Sequence, residues 1–154
     1  MKTASFILVV GLVTVATALQ AQVPPVDEKG VALGGYDVVA YFSGKAIKGD
    51  ARITADYEAA TYQFASAGHR RKFRKNPTQY LPEFDGYCAW GVGAKGATFS
   101  INPETFKVID GKLYLFFNGP IDGVNVNTLE LWNQHQDDLL KEAHTNWTVI
   151  KGSN

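Results

Sequence analysis

FKVIDGKLYLF, residues 106–116, places the strongest local constraint on this chain. The pair Asp110-Gly111 sits between two runs of apolar, β-branched and aromatic residues. Both central residues of a type I′ turn need positive φ, and Asp-Gly supplies that, so the stretch predicts a β-hairpin. A second hairpin is expected upstream. Two short β-rich runs, Ile53 to Tyr57 and Thr61 to Ala65, flank Glu58-Ala59-Ala60. Before it, GGYDVVAYFSG (34–44) is β-branched and aromatic between glycines, which predicts a strand or a strand-like core segment.

Helical signals interleave with these. Ser66 is placed to cap a helix through AGHRRKFRKN, and Pro77 follows that helix. NPTQYLPEF predicts a short turn or a second helix, and the glycine-rich GVGAKGATFS predicts a loop, as does FNGPIDGVNVN. Thr128 is expected to cap a final helix reaching about Trp147. Leu129, Trp132, Gln136, Leu139, Leu140, Ala143 and Trp147 fall on one face of it at helical spacing. The sum is an α+β fold: one small domain of short antiparallel hairpins packed with helices, over residues 31–150.

The chain opens MKTASFILVVGLVTVATALQAQ. Lys2, an apolar run from about Phe6 to Ala18, then small residues form the three-part pattern of a secretory signal peptide. Cleavage after Ala21 fits, with Ala18 as the alternative. Residues 22–30, which contain Pro24 and Pro25, read as an extended tail. The apolar run falls short of the ~20 residues that span a bilayer, so no stable membrane insertion is expected after cleavage. The expected location is exported, periplasmic or secreted. Cleavage would leave about 133 residues, one domain's worth. Acidic and basic residues balance at 15 each, which gives no bulk electrostatic support for a nucleic-acid partner. With one cysteine, Cys88, the chain cannot close an internal disulfide, so packing must hold it.

Cys88 lies in DGYCAWG, flanked by Tyr87, Trp90 and two glycines. It reads as a metal ligand, a nucleophile or a small buried apolar group. His69 precedes Phe73 by four residues and so shares its helix face. If Phe73 enters the core, His69 reaches the core boundary and could meet Cys88. Such a pair could bind copper or zinc or form an activated thiolate. A four-ligand structural zinc site is excluded, because no second cysteine or nearby histidine completes it. His135 and His144 would lie about 180° and roughly 13 Å apart on one helix, so they cannot share an ion. HRRKFRK reads as a solvated basic helix, with an anion-binding or docking patch as its alternative. Asp37, beside Tyr36, could line a pocket or cap a backbone end. Asn146-Trp147-Thr148 is a glycosylation sequon. No P-loop, dinucleotide fingerprint, G-x-S-x-G or HExxH is present.

The order GGYDVVAYF, DYEAATYQFAS, KFRKNPTQYLPEF, GYCAWGV, FKVIDGKLYLF and a terminal helix ending in NW resembles that of the exported YHS-domain proteins. The likeness covers residues 30–117 closely and the last helix loosely. It implies the fold and a kinship with TRASH-type metal-handling domains. Where such relatives carry cysteine ligands, this chain holds Ala65, Ser66 and His69.

Three functions follow as expectations. The first is an exported binding module, monomeric or weakly dimeric and not an enzyme. It would hold a metal ion through Cys88 and His69, or a small ligand against Tyr36, Asp37, Tyr87 and Trp90. The second is a thiol-dependent enzyme or redox protein using Cys88 with His69. The third is an interaction module without chemistry, in which Cys88 simply packs.

Overall fold

The computed structural model describes residues 23–153; the signal-peptide reading of residues 1–21 lies outside them. Over the described residues the fold is α+β, with three antiparallel hairpins and four α-helices. β1 (Asp50–Tyr57) pairs with β2 (Ala60–Phe64), and α1 (Ala67–Lys75) follows. Short 3₁₀ turns at Pro77–Gln79 and Glu83–Gly86 lead to α2 (Ala89–Lys95). β3 (Asn102–Ile109) pairs with β4 (Lys112–Phe116), and β5 (Asn118–Ile121) with β6 (Val124–Asn127). α3 (Thr128–Gln134) and α4 (Gln136–Gly152) complete the chain.

Asp110 and Gly111 adopt φ of 50° and 74°, as the hairpin signal requires. A two-stranded hairpin is marginal alone, and each of these is a separate two-stranded sheet. Their stability therefore comes from side-chain packing. Two apolar clusters supply it. One gathers Tyr41, Phe64, Phe73, Leu113 and Leu115 around Cys88. The other gathers Val92, Tyr114, Phe116, Trp132 and Ala143. Trp90 packs against both, so residues 88–92 form the seam between them.

Several local expectations are corrected. Residues 34–44 are buried core but not strand: they form 3₁₀ turns at Leu33–Gly35 and Ala40–Ser43. The Asp37 carboxylate captures the Val39 and Ala40 amides that a strand would have offered to a neighbour. The glycine-rich stretch after Trp90 is not a loop at its start, because Gly91 and Gly93 lie inside α2. A Cβ on Gly91 would sit 2.3 Å from the Phe99 ring, and one on Gly93 2.7 Å from the Leu139 carbonyl oxygen. These glycines permit close packing and do not break the helix. Residues 118–127 are a third hairpin, turning at Asp122 and Gly123 with φ of 49° and 81°.

The final helix is broken at His135 (φ −143°), and α4 continues past Trp147. Asn127, not Thr128, caps α3, accepting the Leu129 amide at 3.1 Å. The expected stripe still faces inward: Trp132 and Ala143 are buried and the other members are half-buried. In the sequon, the Asn146 side-chain amide donates to the Val92 and Gly93 carbonyls at the end of α2. Ser66 caps α1 as expected, accepting the His69 amide. The segment expected as an extended tail is tied down. Val23 exchanges two backbone hydrogen bonds with Ile101, and Asp27 accepts the Lys29 and Val31 amides. Among the described residues no helix is long and apolar enough to cross a membrane.

Candidate functional site

Cys88 is 1% exposed and stands at the N-terminal end of α2. Its sulfur lies 3.3 Å from the Thr128 hydroxyl and accepts the Phe117 amide at 3.3 Å. The Thr128 hydroxyl donates to the Phe117 carbonyl at 2.8 Å. One proton arrangement satisfies all three contacts: the thiol donates to Thr128, Thr128 donates to Phe117, and the Phe117 amide donates back to sulfur. The ring is closed, and it staples α2 to the start of α3. A reactive cysteine is a partly exposed thiolate beside positive charge. Cys88 is a buried thiol with its hydrogen bonds spent.

His69 has different partners. Its Nδ1 lies 2.7 Å from Asp37 Oδ2, which also accepts the Ala65 amide at 2.8 Å. Asp37 Oδ1 accepts the amides of Val39 and Ala40. The Asp37 side chain is fully buried, while that of His69 keeps 27% of its surface exposed. Every Asp37 contact is thus a donor to the carboxylate, which assigns the shared proton to Nδ1. Sequence reasoning selected both residues but paired neither with the other. The capping role weighed for Asp37 is present three times over.

The other candidates are dispersed. The Tyr36 hydroxyl donates to Glu104 at 2.9 Å, and Lys48 stands 4.9 Å from its ring while donating to the Gly34 carbonyl. Burial, then the Glu104 contact, raises the Tyr36 hydroxyl above its ordinary value. Tyr87 borders an open groove with Trp147, Ile150 and Lys151. Lys95 covers the Trp90 ring at 5.5 Å. Among the described residues no three His, Cys, Asp or Glu side chains converge to hold a metal ion.

A further concavity was not signalled in the sequence. It is a cleft of about 320 Å³ between residues 25–33, the β1–β2 turn and residues 81–85. Leu33, Leu81, Pro82 and the rings of Tyr57 and Tyr62 line it, with Glu58 and Asp85 as its charged groups. Its size and mostly apolar lining with few polar groups suit a small organic ligand. Leu33, Glu58 and Asp85 hold φ near +50°, a conformation that non-glycine residues rarely adopt and that recurs at ligand sites. Glycine is required at Gly86 (φ 83°), where a Cβ would press on Leu33 and Pro25 beneath the cleft.

Tyr62 is 9% exposed; its hydroxyl has no hydrogen-bond partner among the described residues and keeps contact with solvent. Burial first, then the nearby carboxylates of Glu58 and Asp85, pushes this hydroxyl up to about 12. The cleft thus presents what the Cys88 ring lacks: a polar atom held in place and left unmatched. The lining residues are spread over sixty positions of sequence, so only the tertiary fold assembles them.

Comparison with protein-family models, with curated proteins and with solved structures finds no match. The likeness to exported YHS-domain proteins therefore rests on the order of its sequence motifs.

Proposed function

We propose that this protein is an exported, YHS-like binding module without catalytic chemistry, and that its small ligand occupies the cleft between Leu33, Tyr62 and Pro82. One observation carries this reading: Tyr62, a residue only 9% exposed, lines the cleft with a hydroxyl that has no protein partner among the described residues. That hydroxyl faces solvent, and a ligand can take the place of the water it meets there. The closed hydrogen-bond ring around Cys88 counts against the thiol-enzyme alternative.

The test is amide NMR during titration with a set of small aromatic probes, charged and neutral. Shifts should concentrate at Leu33, Ala60, Tyr62 and Leu81. Ala59 lines the cleft from an exposed position, so Ala59→Trp should block binding while the spectrum elsewhere stays native. Shifts centred on Cys88 and Phe117, or binding unaffected by the tryptophan, would refute the reading.

A second reading keeps copper or zinc, and the Asp37–His69 contact favours it. A carboxylate that holds one imidazole nitrogen orients the other toward a metal, and His69 Nε2 is that second nitrogen. Titration with either ion should then be weakened by His69→Ala and unchanged by Cys88→Ser. The reverse pattern, or no binding at micromolar concentration, would remove it.

A further inference from the structure

We infer that the cleft selects a small organic cation, an amine on an apolar or aromatic body; this rests on the cleft being the ligand site. Among the described residues its charged lining consists of Glu58 and Asp85, with no lysine, arginine or histidine. The two carboxylates are not equivalent. Lys151 approaches Asp85 at 3.4 Å, though both side chains are more than half exposed and solvent screens the pair. Glu58 has no ion pair or hydrogen bond among the described residues. It is the uncompensated charge at the rim.

The face of a tyrosine ring attracts a cation, and two tyrosines, Tyr57 and Tyr62, line the cleft. The Tyr62 oxygen can accept an ammonium N–H, a contact no protein group provides. An apolar body then covers Leu33, Leu81 and Pro82. An anion of the same shape would meet two negative charges. A neutral analogue would gain the apolar contacts and leave Glu58 unanswered.

Calorimetry with three eight-carbon probes separates these cases: 2-phenylethylammonium, 2-phenylethanol and phenylacetate. The ammonium should bind about fivefold more tightly than the alcohol at low salt, the size of an exposed charge contact. That advantage should shrink as salt rises, and the carboxylate should bind most weakly. Glu58 lies in an exposed turn, so Glu58→Gln keeps the fold and should shrink the ammonium's advantage over the alcohol. Equal binding of ammonium and alcohol, or an ammonium advantage unchanged in Glu58→Gln, would overturn the cation assignment while leaving the cleft as the site. If none of the three binds and no cleft amide shifts, both the assignment and the cleft reading fall.

Discussion

The ring at Cys88 and the cleft at Tyr62 both hold a polar atom in a nearly buried residue. At Cys88 three groups exchange three hydrogen bonds and nothing is left over. At Tyr62 the hydroxyl has no protein partner among the described residues, and burial first, then Glu58 and Asp85, raises it. The first arrangement contributes stability and holds the sulfur away from solvent. The second leaves a solvent-facing hydroxyl that a ligand can engage. The contrast teaches where to look: the residue that draws the eye in the sequence is the finished one.

The two regions can be driven apart by mutation. Phe73 is the shared base, 1% exposed and in ring contact with Tyr57, Tyr62 and Phe64. Phe73→Ala should cost about 3–5 kcal/mol and abolish cleft binding along with it, measured by denaturant unfolding and probe titration. Asp37→Ala leaves three backbone amides and an imidazole without their acceptor. A loss of about 3 kcal/mol is expected, together with free rotation of the His69 ring in NMR spectra.

Cys88→Ala should be milder, about 1–3 kcal/mol, because Thr128 and the Phe117 amide lose a buried partner. Probe binding at the cleft should survive it. In the wild type, a thiol reagent should label Cys88 rapidly only after denaturation. Fast labelling of the native protein would return the thiol to functional candidacy.

Tyr62→Phe should change stability least, within about 0.5 kcal/mol near neutral pH, since its hydroxyl has no protein partner to lose. It should show itself in alkali. The folded state holds the Tyr62 proton to about pH 12, against an ordinary value of 10.0. Folding therefore gains from this group below pH 10 and loses that gain as pH rises toward 12. The wild type should lose more stability over that interval than Tyr62→Phe, by unfolding curves taken at pH 9 and pH 11.5.

What the sequence disclosed was local. Asp110-Gly111 carries its own turn geometry, Ser66 its own cap, and the Leu129–Trp147 stripe its own period. Asp122-Gly123 carries the same turn pair as Asp110-Gly111, but its flanks alternate apolar residues with glycine, proline and asparagine and lie mostly exposed, so no continuous apolar run marks the strands. Gly91 and Gly93 misled because their reason lies elsewhere in the chain, in Phe99 and Leu139. His69 and Asp37 could each be selected from sequence, but their contact spans 32 positions. The cleft was out of reach entirely. Neither Tyr62 nor Glu58 has a local pattern that sets it apart from its neighbours in a hairpin, and only folding brings them to Leu33 and Pro82.

A crystal structure of the protein soaked with 2-phenylethylammonium tests the central contrast most directly. The account predicts density in the cleft, with the ring against Tyr57, Tyr62 and Leu81, the nitrogen facing Glu58, and the Cys88–Thr128–Phe117 ring unchanged. Density beside an opened Cys88, with the cleft holding only water, would contradict it.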